Sequence, residues 1–240
     1  MKSRIIFEIK EDAREFFRAL PSVLKRSRRT ILLFVLFLIL LIMVLHPYDL
    51  PWVRKIITGR AESLIRVAEA LRTWGDFRDI VIVTLLLFCA GWWFRRREWR
   101  RLAVVFFLSV CVAGIAANTL RCTVGRPRPY IRKVTDDRWY GPLYLYPKHM
   151  KPVDERFRKF QSFPSGHTTT SSAAAAMLLV AAPVVGVPMA LSSIGIMWSC
   201  LYCGVHYATD VIAGMGFGII FGAAGGLVYR RMRAKASTAS

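Results

Sequence analysis

Long apolar runs alternate with short basic stretches along this chain, which is typical of a protein that crosses a membrane several times. Residues 30–45 read TILLFVLFLILLIMVL and contain no charged side chain. A run of about 16 to 20 such residues can cross a bilayer as a helix. The run begins too far from the start of the chain to resemble a signal peptide, and no small-residue cleavage site follows it. The pattern predicts a first membrane span near residues 30–46.

Further apolar segments near 80–94, 102–120, 167–182, 189–204 and 211–229 predict five more spans. The fourth is rich in Ser, Thr and Ala and the sixth is rich in Gly, so both offer faces for close helix packing. Residues 52–75 carry too many charges to cross, and we expect an interfacial helix there, outside the membrane. Residues 183–188 are predicted to form a short inner turn. The expected fold is all-α, a polytopic bundle of about six transmembrane helices plus interfacial helices.

Basic clusters orient the predicted bundle. They lie at residues 25–29, 95–101 and 230–235, and such clusters collect on cytoplasmic loops. Both termini are therefore expected in the cytoplasm of a bacterial inner membrane protein. We divide the chain into a cytoplasmic amphipathic segment 1–29, a six-span domain 30–235 with an outer loop 121–166, and a short tail 236–240. The amphipathic segment is interpreted as a helix on the membrane surface or a plain solvated helix.

The formal net charge of +20 is explained by these loops and by anionic lipid head groups. No nucleic-acid recognition module is present, so we expect no nucleic-acid partner. The five cysteines fall mostly in apolar runs, which argues against a disulfide framework. Cys200 and Cys203 have the spacing of a redox or metal pair but lie in a predicted span without a second pair, so structural packing is the favoured interpretation.

The outer loop is basic although it lies on the side where basic residues are not expected. Its first part reads RCTVGRPRP over residues 121–129. Guanidinium groups bind phosphate oxygens through paired N–H donors, and the prolines stiffen the segment. Alone, the stretch could equally be a patch for lipid head groups.

Two more polar motifs fall at predicted outer ends of spans. Pro164-Ser165-Gly166-His167 opens the fourth span, where free backbone N–H groups form an anion site and His167 can donate a proton. His206 and Asp210 lie between the last two spans, where a carboxylate can orient the imidazole for attack. Alone, these could be a helix cap and a satisfied polar pair. Together they supply a nucleophile, an orienting base, an acid and cationic groups on one membrane face, which is what phosphoryl transfer without a metal needs.

On these motifs the chain resembles the type-2 phosphatidic acid phosphatase superfamily. The first motif of that family maps to Arg121 and Arg128-Pro129, the second to residues 164–167, and the third to Ser199, His206 and Asp210. The resemblance implies that His206 attacks phosphorus to form a phosphohistidine, Asp210 orients it, and His167 protonates the departing oxygen. It also implies phosphate binding by Arg121, Arg128, Ser165 and Gly166, with no metal and no cofactor.

The chain departs from the family pattern at two positions. Arg121 stands where the family usually has Lys, and Cys200 stands where it has an arginine that binds phosphate. Loss of one charged phosphate ligand could cost about 2–4 kcal/mol of transition-state stabilisation. We hypothesise that another basic residue replaces it, with Arg126 and Arg132 as candidates by proximity in sequence.

The substrate is expected to be a membrane lipid phosphate, since the motifs lie at the lipid–water boundary. The resemblance suggests lipid A, an isoprenoid diphosphate or a glycerophospholipid, and the long aromatic and basic segment 133–163 favours the large head group of lipid A. The rival interpretations are a lipid phosphotransferase and a non-catalytic binder or transporter of lipid phosphates. The sequence leaves the oligomeric state open.

Overall fold

The computed structural model describes residues 2–74, 77–130, 139, 141 and 159–238, and all regular secondary structure within these ranges is helical. The predicted all-α fold class is confirmed. In chain order the helices are α1 (Lys2–Arg26), α2 (Arg28–Leu45), α3 (Asp49–Gly59), α4 (Glu62–Thr73), α5 (Phe77–Trp93), α6 (Arg97–Val124), α7 (Gly166–Ala181), α8 (Pro183–Tyr202) and α9 (Ala208–Thr238), with one 3-10 turn at His46–Tyr48 between α2 and α3.

Four stretches of helix in the described residues are long and apolar enough to cross a membrane. They are Arg28–Gly59, Arg97–Val124, Pro183–Tyr202 and Ala208–Thr238. They contain the first, third and sixth predicted spans and cover all but the last two residues of the fifth. The second and fourth predicted spans correspond to α5 and α7, which have 17 and 16 residues. Such helices reach only about 25 Å, somewhat less than a hydrocarbon core of about 30 Å. For these two helices the crossing stays a prediction.

The centre of the bundle consists of α6, α7 and α9, which approach one another closely through small side chains. At Gly218 of α9 an added Cβ atom would lie 2.6 Å from the Cβ atom of Ser172 in α7, and at Gly226 it would lie 2.8 Å from the carbonyl oxygen of Met177. Both distances are too short for real carbon contacts. The glycines therefore let the two backbones touch, as the small-residue pattern predicted.

Helix α1 does not lie apart from the bundle. Phe16 is fully buried and Leu20 nearly so, and both belong to the main apolar core. Asp12 forms a 2.9 Å ion pair with Arg101 of α6. The interpretation of residues 1–29 as a surface-bound or solvated helix is therefore wrong for its inner face, because two apolar side chains and a buried carboxylate anchor that face to the helices.

The predicted elements are wrong at two places, and one helix extends beyond its predicted span. The segment in which one interfacial helix is expected forms two, because Arg60 is extended and separates α3 from α4. The inner turn expected at 183–188 is instead the start of α8, since Pro183 occupies a first-turn position that suits its fixed φ. Helix α9 continues through the basic cluster as far as Thr238, because Lys, Arg and Ala favour helix.

The basic segments meet at one end of the bundle. Arg101 of α6 contacts both Asp12 of α1 and the carbonyl oxygen of Met232 in α9, so the N-terminal helix, the 95–101 region and the end of α9 are neighbours. The other ends of α6 and α9 carry the polar motifs, which therefore lie at the opposite end of the molecule.

Candidate active site

The three polar motifs contact one another directly. Arg121 lies in the last turn of α6, Ser165 precedes α7, and His206 lies in the short connection between α8 and α9. The backbone N–H of Ser165 donates to the carbonyl oxygen of Asp210 at 2.9 Å. The guanidinium of Arg121 donates to the carbonyl oxygen of Pro164 at 3.1 and 3.3 Å. Motifs that are distant in sequence thus form one site.

His206 and Asp210 form a buried pair at this site. The Nδ1 atom of His206 lies 3.5 Å from Oδ2 of Asp210, and both side chains are almost completely shielded from solvent. The same Oδ2 accepts from the hydroxyl of Ser162 at 2.5 Å and from the backbone N–H of Tyr207 at 2.9 Å. These donors favour the ionised carboxylate and fix its orientation beside the imidazole.

Burial is the main influence on the imidazole of His206. The pKa of His206 is lowered to about 4: burial is the largest cause, Asp210 opposes it, and Arg128 and Arg121 add to the lowering. Removing water disfavours the charged imidazolium. His206 is therefore neutral near pH 7, and a neutral imidazole retains a lone pair that can attack an electrophile.

The start of α7 has the features that the sequence predicted. Ser165 is the N-cap, and its hydroxyl oxygen accepts from the backbone N–H of Thr168 at 3.5 Å. A side chain at Gly166 would collide with the guanidinium of Arg121, so glycine allows the arginine to lie across the helix start. His167 follows in the first turn and is half-buried. Free N–H groups and a nearby cation make this end suitable for an anion.

Arg128, the second predicted phosphate ligand, is fixed by a backbone hydrogen bond, and its side chain has an N–H donor without a partner among the described residues. Its backbone N–H donates to the carbonyl oxygen of Lys159 at 2.8 Å. Its Nε atom is buried and has no hydrogen-bond partner in the described part of the chain. A buried donor without a partner costs about 1–3 kcal/mol. An anion bound beside Arg128 would remove that cost.

Of the two arginines suggested as replacement phosphate ligands, only Arg126 is among the described residues. Arg132 lies outside the described residues. Arg126 is completely buried and donates to Oδ1 of Asp210 at 2.7 Å and to Oδ2 of Asp49 at 2.9 Å. A guanidinium already paired with two buried carboxylates does not fit the predicted role of a phosphate ligand, because phosphate would have to displace those partners.

Three residues of the site were not predicted from the sequence. Asp49 is fully buried at the start of α3, and it accepts from the backbone N–H of Thr209 at 3.1 Å and from the Thr209 hydroxyl. A carboxylate directly after an apolar span is the signal that could have revealed it. Ser162 lies two residues before the second motif, Thr209 occupies an unassigned position inside the third, and nothing in their spacing marks them.

A family model described as the PAP2 superfamily matches residues 102–235, which is more than half of the chain. The chain belongs to the PAP2 superfamily. This name denotes the family that the three motifs resembled, and the matched range contains all of them.

Two PAP2 relatives are both named lipid A 1-phosphatase. The Rhizobium etli protein is 28% identical over 185 residues, covering 72% of this chain and 74% of the relative. The Rhizobium johnstonii protein is 28% identical over 178 residues, covering 69% and 68%. The chain is accordingly a membrane phosphatase, as the resemblance implied.

Two solved structures share the fold. A PAP2-type phosphatidylglycerolphosphate phosphatase from Bacillus subtilis aligns with a TM-score of 0.61 at 18% identity, covering 85% of this chain and 96% of the other. LpxE from Aquifex aeolicus aligns with a TM-score of 0.53 at 22% identity, covering 74% and 93%. These likenesses support the helical architecture alone.

Position 200 remains the main departure from the PAP2 motif. Cys200 is completely buried, and its thiol has Ser165 and the charged Arg72 as neighbours. Arg72 of α4 is also a neighbour of Cys203, and its Nε atom is buried without a hydrogen-bond partner among the described residues. Arg72 lies far upstream of the motifs, so spacing gave no reason to select it. All five cysteines are free thiols.

Proposed function

We propose that this protein is a lipid phosphatase that removes phosphate from a membrane lipid at the outer face, through a covalent intermediate on His206. The observation that carries the proposal is the buried pair of a neutral His206 and Asp210. This pair lies in one site with the start of α7 and with Arg121. A shielded, oriented nucleophile beside cationic and N–H donors is suited to phosphoryl transfer.

The reaction proceeds in two steps. In the first, a ring nitrogen of His206 forms a bond to phosphorus, the bond from phosphorus to the lipid oxygen breaks, and His167 gives that oxygen a proton. In the second, water attacks phosphorus, the P–N bond breaks, and His167 takes the proton from the water. Arg121, Arg128, Ser165 and the N–H of Gly166 bind the phosphate oxygens throughout.

Lipid A is the proposed substrate. Both relatives named above are lipid A 1-phosphatases, which favours a phosphorylated glycolipid over an isoprenoid diphosphate or a glycerophospholipid. The aromatic and basic segment 133–163, which suggested a large head group, lies almost entirely outside the described residues and does not enter the argument.

The test is phosphate release by the full-length protein in detergent, with a chelator present, from lipid A, an isoprenoid diphosphate, phosphatidylglycerol phosphate and phosphatidic acid. We expect release to be fastest from lipid A and to fall by roughly 10³-fold or more in His206→Ala. Arg66→Ala is the control, because Arg66 is exposed on α4 and has no role in the proposed chemistry. Alkaline quenching during turnover of ³²P-labelled lipid should trap label on the wild type but not on His206→Ala.

The rival functions give different results in the same assay. A binder would retain labelled lipid without releasing phosphate. A phosphotransferase would release little phosphate until an acceptor lipid was added, and the label would then appear on that lipid. Full turnover by His206→Ala would overturn the covalent mechanism.

A further inference from the structure

We propose that Arg126 and Asp49 are positioning residues, which set the orientation and effective charge of the carboxylate that holds His206. The inference rests on the proposed roles of His206 and Asp210. It assigns Arg126 a function different from phosphate binding, and it gives Asp49 a function that no sequence motif suggested.

The carboxylate of Asp210 divides its two oxygens between two sets of partners. Oδ2 faces His206 and accepts from Ser162 and from the backbone N–H of Tyr207. Oδ1 faces away from the imidazole and accepts from Nη1 of Arg126 at 2.7 Å. Rotation of the carboxylate would break contacts at both oxygens, so Arg126 fixes the oxygen that His206 needs.

Arg126 is itself fixed from the other side. Its Nη2 atom donates to Oδ2 of Asp49 at 2.9 Å, and its Nη1 atom also donates to the hydroxyl of Thr209 at 2.7 Å. Because Asp49 also accepts both the backbone N–H and the hydroxyl of Thr209, the network ties the start of α3 to the first turn of α9.

Aromatic rings enclose the guanidinium. The Cζ atom of Arg126 lies 4.0 Å from the ring centroid of Tyr207 and 5.2 Å from that of Trp139. Arg126 has no exposed surface. A cation held over aromatic faces and shielded from solvent is stabilised where it is, and a substrate phosphate could not reach it without dismantling the enclosure.

The network also affects the proton affinity of His206. The charged groups around His206 are Asp210 of α9, Arg121 of α6 and Arg128 of the following loop. Arg126 offsets the negative charge of Asp210, which would otherwise stabilise an imidazolium. His46, whose Nδ1 atom lies 3.5 Å from Oδ2 of Asp49, is the titratable group at the far side of the network. Without Arg126, we expect His206 to bind a proton at higher pH.

The experiment compares full-length Arg126→Met, Arg126→Lys and the double variant Arg126→Met/Asp49→Asn with the wild type. The double variant removes the carboxylate that Arg126→Met alone would leave buried and unpaired, so it is the form expected to fold. Arg121→Met is the control for loss of a phosphate ligand. For each variant, kcat, KM and the pH profile of kcat/KM for phosphate release are measured, together with inhibition by orthovanadate.

We expect the double variant to lose about 100-fold in kcat, since a misplaced catalytic group can cost that much. Its KM and its inhibition by orthovanadate should stay close to the wild type. In Arg126→Met, which loses the cation and keeps both carboxylates, the acid limb of kcat/KM should move to higher pH. Arg126→Lys keeps the charge and should retain the wild-type acid limb. Arg121→Met should instead raise KM and weaken the inhibition by orthovanadate.

Two results would overturn the inference. Weaker orthovanadate inhibition with raised KM in the double variant would make Arg126 a phosphate ligand. Unchanged kcat and acid limb, with only reduced thermal stability, would make the network a purely structural tie. Failure of the proposed function itself is recognised separately from the wild type and His206→Ala: the wild type would then release no phosphate, or His206→Ala would turn over as fast as the wild type.

Discussion

At the scale of single residues, the site places a neutral imidazole beside an ionised carboxylate in the absence of solvent. Asp210 alone would favour the imidazolium form of His206, whereas burial and the nearby arginines favour the neutral form. Burial prevails, so the nucleophile needs no deprotonation step near pH 7. The aspartate then acts mainly through orientation, which explains why four groups converge on it.

This balance predicts the acid side of the pH profile. Because burial lowers the pKa of His206 to about 4, kcat/KM, which reports the free enzyme, should fall only as the pH drops through about 4. Below that pH the imidazolium forms and cannot attack. A phosphomonoester substrate also titrates near pH 6, so its own titration is measured by ³¹P NMR and divided out. An acid limb near pH 6.5 after this correction would contradict a buried neutral His206.

At the scale of helices, the sequence predicted the motif residues of the site better than the residues that surround them. Charge and apolar runs placed the three motifs at one end of the bundle, at the end of α6 and at the starts of α7 and α9, because each motif adjoins a long apolar run. Contacts between the site and the weakly apolar segment 49–73 could not be predicted from apolar runs. Asp49 and Arg72 reach the site only because α3 and α4 fold back against α8 and α9, where Tyr202 accepts the N–H of Ala61.

The contact between α4 and α8 predicts compensation at position 200. The charge of Arg72 acts on the Cys200 thiol, so we expect Arg72→Met to lower kcat/KM about 100-fold, as for a lost phosphate-stabilising group. Cys200→Arg alone should bring no gain, because it buries a second guanidinium beside the first. Cys200→Arg in the Arg72→Met background should restore much of the rate. Arg66→Met, exposed on the same helix, is the control.

Two results would count against this compensation. If Arg72→Met keeps wild-type activity, Arg72 has no part in binding phosphate. If Cys200→Arg alone raises the rate by several orders of magnitude, the ligand that the PAP2 motif carries at this position has not been replaced in this chain.

At the scale of the whole molecule, charge and chemistry are segregated to opposite ends. The basic segments meet where α1 contacts the first turn of α6 and the last turns of α9, while the site lies at the other ends of α6 and α9. The sequence predicted this polarity from its basic clusters. It did not predict that α1 packs into the core, because an amphipathic pattern is the same whether its apolar face meets lipid or protein.

Substitution of two adjacent phenylalanines tests whether the apolar face of α1 meets protein or lipid. Phe16 is fully buried, whereas Phe17 is 54% exposed. Packing against the bundle predicts that Phe16→Ala lowers the free energy of unfolding by about 3–5 kcal/mol, seen as a lower thermal midpoint in detergent. Phe17→Ala should change it by less than about 0.5 kcal/mol. Both variants should keep wild-type phosphate release at low temperature, because the site lies at the far end of the bundle. If Phe16→Ala destabilised the protein no more than Phe17→Ala, α1 would be attached by its ion pairs rather than by its apolar face.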